Sequence, residues 1–223
     1  MKLIKRLWRR YGHFTFILVI VALNLMFNWL METRAPKYQM VSGFDNSIPF
    51  LKGFVIPYFL WFVYIIAVWV YLGLKSQRGF RQLCAFMIVG QIASMLIYFL
   101  FPNGQNLRPA IMSNDIFSRS ILTIYRNHTF PHTAPSIHIL YSLAAHFGLM
   151  RYRPFSKKKI LPILSFLFIL TAVLSTLFVK QHAVKDVFFG LLLSAVLYPL
   201  IYKNKPRKGS FAALNTAWKT EQR

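Results

Sequence analysis

The stretch LSTLFVKQHAVKD, residues 174–186, decides how this chain is read. It places Lys180, His182 and Asp186 within two helical turns, between an apolar run at 160–179 and another at 184–202. Each run is close to the roughly 20 helical residues that cross a bilayer. The stretch therefore reads as a short turn between two spans, with three ionisable groups at one membrane rim. A carboxylate beside hydrocarbon is costly unless something compensates it, and the chain has only five Asp and Glu residues. Two readings stay open for the turn. Either it belongs to a site, or Asp186 only helps a His and a Lys tolerate the same boundary.

Working outward, four further apolar runs lie near 14–31, 53–74, 82–101 and 137–150. Together the runs predict six transmembrane helices. SIHILYSLAAHFGLM, at 136–150, is short for a span and must borrow length from its loop or begin below the membrane surface. The first run follows KLIKRLWRR, is too long for a leader and lacks a small-x-small cleavage site, so it reads as a retained signal anchor. The expected fold class is all-α, a polytopic integral membrane bundle of six helices. It forms one membrane domain over 1–223, with a basic N-terminus at 1–11, a six-helix core at 12–202 and a basic tail at 203–223.

Composition agrees. The chain is 56% hydrophobic and 17% aromatic, far from a soluble domain. Its net charge of +22 lies in short clusters between apolar runs, which points to a membrane protein and to no nucleic-acid partner. Nineteen of the 27 Lys and Arg residues fall on the side of the termini and eight on the other. The positive-inside rule then places the termini in the cytoplasm, and the loops 102–136 and 180–185 outside it. The single cysteine, Cys84, excludes an internal disulfide framework and reads as a small buried hydrophobe. No segment specifies an oligomeric state.

Because the long loop and the turn share one side, their residues can converge. His182 and Asp186 are four apart and occupy one helical face. A carboxylate on one imidazole nitrogen fixes the tautomer and raises the basicity of the other, as a nucleophilic or general-base histidine requires. In APSIH, residues 134–138, Pro135 and Ser136 mark a helix N-terminus with Ser136 as its cap. Free N–H groups and the positive dipole end suit a phosphate there, and His138 faces the same anion or simply sits at the interface. Arg108, in LRP, and Lys180 add a bidentate fork and a point charge. These groups form an inventory for phosphoryl transfer, which is stabilised by donors around the equatorial oxygens. The pattern holds no cluster of metal-binding carboxylates, so the expected chemistry uses no metal and no cofactor.

The order Arg108-Pro109, Pro135-Ser136-Ile137-His138, then Ser175 with His182 and Asp186 resembles the type-2 phosphatidic acid phosphatase (PAP2) superfamily of membrane lipid phosphatases. The resemblance covers roughly 46–202, including IPF and IPYFLW. It implies six helices and an extracytoplasmic site. There His182 attacks phosphorus to form a phosphohistidine, Asp186 orients it, and His138 protonates the alkoxide and then activates water. Arg108, Ser136, Ser175 and Lys180 hold the phosphoryl oxygens. Two positions depart from the family motifs: Phe101 replaces a usual Lys, and Thr176 a usual Arg. Lys180, one turn on, takes the arginine's place in a branch reading S-T-x-F-x-K-Q-H, part of which resembles inositol phosphorylceramide synthases. The expected function is metal-independent hydrolysis of a lipid phosphomonoester or pyrophosphate, with membrane lipids as surroundings. Candidate substrates are phosphatidic acid, phosphatidylglycerophosphate and polyprenyl pyrophosphate. The alternatives are transfer of the phosphoryl headgroup to a lipid alcohol and, more distantly, a non-catalytic lipid-binding protein or transporter.

Other ionisable groups take plainer readings. His128 and His132 are separated by Pro131 and read as a loop near headgroups rather than a metal pair. His146 reads as a hydrogen-bonded core histidine, and Lys185 as a snorkelling lysine. The basic ends serve topology and attraction to anionic lipid. In the tail, Phe211, Leu214 and Trp218 fall on one face of an interfacial helix.

Overall fold

The computed structural model describes residues 5, 8, 10–126 and 134–202. His128, His132 and the tail residues Phe211, Leu214 and Trp218 lie outside the described residues. Longer helices are α1 (Thr15–Thr33), α3 (Val55–Lys75), α4 (Gln77–Leu100), α6 (Ile137–Arg151), α8 (Ile160–Phe178) and α9 (Val184–Tyr202). Shorter ones are α2 (Gly43–Ser47), α5 (Ile116–Arg126) and α7 (Arg153–Ser156). Two-residue strands β1 (Tyr38–Gln39) and β2 (Asn103–Gly104) pair in parallel.

Five of the six expected spans are long and apolar enough to cross a membrane, namely those built on α1, α3, α4, α8 and α9. The sixth, α6, has 15 residues, about 22 Å of helix against a hydrocarbon core of about 30 Å. Its surroundings explain how it can be short. It packs against α3, α4, α8 and α9, and Ile139, Leu140, Ala144 and Ala145 are each 0% exposed. A helix sheathed in protein need not match the bilayer thickness. The outer helices instead turn Leu18, Leu25, Ile66, Leu96, Phe166 and Leu200 outward, an apolar coat suited to lipid rather than water.

Helix direction follows from the end contacts. Arg34, after α1, donates to the Phe99 carbonyl near the end of α4, and Gln77 at the start of α4 donates to the Arg10 carbonyl before α1. These helices run parallel. The start of α6 meets the first half of α3, where the His138 ring lies 4.5 Å from that of Trp61. Gly190 permits a close approach at this end. A Cβ there would sit 2.9 Å from Ile139 Cβ and 3.1 Å from the Ser136 carbonyl oxygen, so only glycine lets the first turns of α9 press on the start of α6.

One end of the bundle therefore gathers residues 34–54, 101–115, 134–136 and 179–183. Helix α5 lies over it, with Ile121 and Ile124 packed among Val55, Tyr58 and Val179. Asp115 caps α5 through the Phe117 and Ser118 amides and pairs with Lys52 at 2.7 Å. The lysine, then Ser118, hold its carboxyl well below the usual range. Asp45, only 1% exposed, closes a capping box with Ser42 and reaches across to accept the Val184 amide at 2.8 Å. A carboxylate from the first inter-helix connection thus caps the last helix. Asp45→Ala leaves these amides without their acceptor. It is expected to cost about 2–4 kcal/mol, read as a lower thermal-unfolding midpoint in detergent, and an unchanged midpoint contradicts the tie.

Candidate active site

The site is built on the turn between α8 and α9. After Phe178 the chain reverses, and the amides of Gln181 and His182 both bond to the Thr176 carbonyl, at 2.8 and 3.1 Å. The reversal holds Lys180 at φ 53, a left-handed conformation that disfavours side-chain-bearing residues by roughly 1–2 kcal/mol. Its side chain ties the turn down: Nζ donates to the carbonyls of Asp45 at 2.9 Å and Ile48 at 2.6 Å. Burial lowers the ammonium's pKa, and Asp45 opposes that shift. Ser175 Oγ donates back to the Ala172 carbonyl at 2.6 Å, within its own helix. Two of the residues expected to hold phosphate thus make backbone hydrogen bonds in this structure.

His182, Asp186 and His138 come together. Asp186 is 0% exposed. Its Oδ2 accepts the Ala183 amide at 2.6 Å and lies 3.5 Å from His182 Nδ1. That separation is an ion-pair distance, longer than a hydrogen bond, and neither Nδ1 of His182 nor Oδ1 of Asp186, both buried, has a hydrogen-bond partner among the described residues. The opposite nitrogen, Nε2 of His182, lies 3.0 Å from His138 Nδ1. The three side chains therefore form one line: carboxylate, imidazole, imidazole.

The start of α6 completes the arrangement. The Ser136 amide donates to the Asp186 carbonyl at 3.2 Å. Its hydroxyl is buried with no partner among the described residues. An unsatisfied buried hydroxyl beside a helix N-terminus calls for an acceptor or donor that arrives from outside. Arg108 donates Nη1 to the Tyr125 carbonyl at 3.1 Å and lies 4.6 Å from that ring's centroid. Burial lowers its pKa, against the opposing effects of Tyr125 and Tyr58. Burial pushes the Tyr125 hydroxyl up to about 12, with Arg108 opposing. Tyr58 is near both this cation and the histidines, its ring 5.2 Å from that of His138.

The histidines open on a cavity of about 420 Å³ between α1, α3 and α6, within the usual range for ligand sites. It runs past Tyr58, Trp61 and Ile65 as far as Trp69 on α3, about 16 Å along the helix axis at 1.5 Å per residue. The arrangement is thus two facing imidazoles, one of them backed by a buried carboxylate, beside a helix start at the mouth of a mostly apolar channel. His146 takes no part in it and bonds to Ser165 at 2.9 Å.

Several positioning residues escape a reading of motifs. Gln105 donates to the Lys180 carbonyl at 2.9 Å and accepts the Leu107 amide, which joins the LRP segment to the turn. Asn103 brackets Ala134, donating to its carbonyl and accepting its amide, both at 2.9 Å. NGQN carries no periodicity to reveal either role. Asp45 did leave a signal, since Ser42-x-x-Asp45 has capping-box spacing.

Comparison with curated proteins returns no match, and comparison with solved structures returns none either. A family model described as the PAP2 superfamily matches residues 79–210, more than half of the chain. That span contains Arg108, Ser136, His138, Ser175, His182 and Asp186, and the structure lines up three of these at the cavity mouth; the chain belongs to the PAP2 superfamily.

Proposed function

We propose that this membrane protein is a lipid-phosphate phosphatase working through a phosphohistidine at the extracytoplasmic face, with both termini in the cytoplasm. Superfamily membership suggests phosphatase or phosphotransferase activity. The observation that carries the finer reading is the line Asp186–His182–His138 at the mouth of a hydrocarbon-lined cavity. The lipid chain occupies the cavity while its phosphate takes the place of the histidine–histidine hydrogen bond.

In the first step His182 Nε2 forms a bond to phosphorus, the bond from phosphorus to the lipid oxygen breaks, and His138 gives that oxygen a proton. In the second step His138 takes a proton from water as the water oxygen attacks phosphorus. The N–P bond breaks and inorganic phosphate leaves. Asp186 holds the His182 ring and stabilises its positive charge throughout, and the Ser136 hydroxyl and Arg108 supply donors to the phosphoryl oxygens. A lipid alcohol in place of that water yields a phosphotransferase, the reading favoured by Thr176 and Lys180 in the third motif.

The test is a panel of detergent-solubilised lipid phosphates and pyrophosphates, assayed with and without an added alcohol. Free phosphate released at a rate indifferent to the alcohol is expected. Phosphorylated alcohol as the main product selects the transferase, and no turnover of any lipid overturns both readings.

A further inference from the structure

The channel below the histidines is not uniformly apolar. Asn24 and Asn28, one turn apart on α1, both line it. A primary amide at membrane depth is unfavourable unless bonded, and such residues mark function. Asn24 is bonded: its Nδ2 donates to the Ile20 carbonyl at 2.8 Å and to the Tyr141 hydroxyl at 3.0 Å. Tyr141 in turn donates to Gln91. Asn28 is exposed, and it makes no side-chain hydrogen bond among the described residues. Both asparagines lie outside the segment that matches the superfamily, so the shared chemistry of the family does not require them.

The Asn24–Tyr141 hydrogen bond fixes the relative depth of α1 and α6. From that level Asn28 is one turn, about 6 Å, nearer the site end. On α6, which runs the other way, His138 is three residues, about 4.5 Å, nearer the same end. Asn28 therefore stands across the channel at close to the depth of His138. A lipid whose phosphate meets the two imidazoles presents at that depth the first few atoms beyond the phosphate. In a diacylglycerol phosphate or an N-acylated sphingoid phosphate those atoms carry an acyl carbonyl. In a polyprenyl phosphate they are hydrocarbon.

We infer that Asn28 is a specificity-determining residue that donates its amide N–H to an acyl carbonyl, ester or amide, near the phosphate. The inference rests on the phosphatase reading above and narrows its substrate class to acyl-bearing lipid phosphates. An unbonded amide in hydrocarbon gains most from an acceptor carbonyl and nothing from an alkyl chain. A site built to bond a polar group rejects the analogue that lacks it.

The test compares a diacylglycerol phosphate with its dialkyl-ether counterpart of equal chain length, in the same detergent micelles, as the ratio of their kcat/KM values. The full-length protein is expected to favour the ester on the order of tenfold, and Asn28→Leu to bring the ratio close to one. Asn28→Ala, which removes the amide donor without adding bulk, is measured alongside in case the leucine preparation is inactive on both lipids. Equal rates on ester and ether by the unaltered protein overturn the inference while leaving the phosphatase reading intact. An Asn28→Leu or Asn28→Ala protein that keeps the full preference also overturns it. Turnover of neither lipid, nor of any other lipid phosphate, overturns the phosphatase reading and this inference together.

Discussion

Replacing His182 with alanine is expected to lower phosphate release from a lipid phosphate by about 10³-fold or more. His182 Nε2 faces His138 at the channel mouth, and its other nitrogen faces the buried Asp186. The neighbouring imidazole is a poor substitute, because its Nδ1 faces His182 rather than a carboxylate. Loss of fold is a weak rival explanation. The turn is fixed by backbone bonds to Thr176, by Lys180 and by the Asp45 cap, none of which involves the His182 side chain. A companion change separates the two roles. His138→Ala keeps the nucleophile but slows both leaving-group protonation and attack by water, so a radiolabelled substrate should leave an acid-labile phosphoenzyme that the His182→Ala protein never forms. Full activity in His182→Ala, with normal solubility and thermal midpoint, removes the nucleophile from the mechanism.

The sequence is informative about these residues because their relations are local. His182 and Asp186 share a helical face by spacing, and Ser136 and His138 mark one helix start. The outer helices are equally plain, since each is a long apolar run with exposed apolar side chains. The short run at 137–150 was ambiguous because hydropathy reports burial in lipid and burial in protein alike. Only the packing of α6 among four neighbours separates them. Lys180 shows the opposite limit. Its position beside the histidine suggests a phosphate ligand, but the direction of its ammonium depends on carbonyls more than 130 residues away, at Asp45 and Ile48. Gln105, Asn103 and Asp45 reach partners 75, 31 and 139 residues away, so no local pattern assigns them to the site, although its capping-box spacing marks Asp45 as a helix cap.

This division also says what the connections accomplish. Three segments distant in sequence meet at one end, and polar ties rather than apolar packing set their register there. Asp45 joins the first connection to the last helix, Gln105 joins the LRP segment to the turn, and Tyr125 donates its hydroxyl to the Val179 carbonyl at 2.7 Å. Apolar contacts among helices tolerate small slides, whereas buried hydrogen bonds to carbonyls and carboxylates do not, because an unmade bond leaves a desolvated polar group behind. The two histidines, carried on different helices, can thereby stay within 3.0 Å of each other.

Asp186→Asn is expected to reduce kcat by about 10²–10⁴-fold while leaving the thermal midpoint nearly unchanged. The substitution keeps size and shape, and the asparagine carbonyl can still accept the Ala183 amide that Asp186 caps at 2.6 Å. What changes is the information given to His182. A carboxylate only accepts, so it requires the proton on Nδ1 and leaves the Nε2 lone pair facing the phosphate. A neutral amide carbonyl in the position of Oδ2 is a weaker acceptor than a carboxylate and holds that tautomer less firmly, so the form in which Nε2 carries the proton and cannot attack becomes accessible. It also withdraws the negative charge that balances the ring once nitrogen is bonded to phosphorus. The 3.5 Å separation in the free protein fits this role, because such contacts tighten as charge develops in the reacting complex. A purely structural carboxylate predicts the reverse pattern, with Asp186→Asn and Asp186→Ala losing activity only in proportion to lost folded protein. If kcat for Asp186→Asn stays within about threefold of the unaltered protein, smaller than any orienting role allows, the pair is a helix-start contact and the catalytic line shortens to the two histidines.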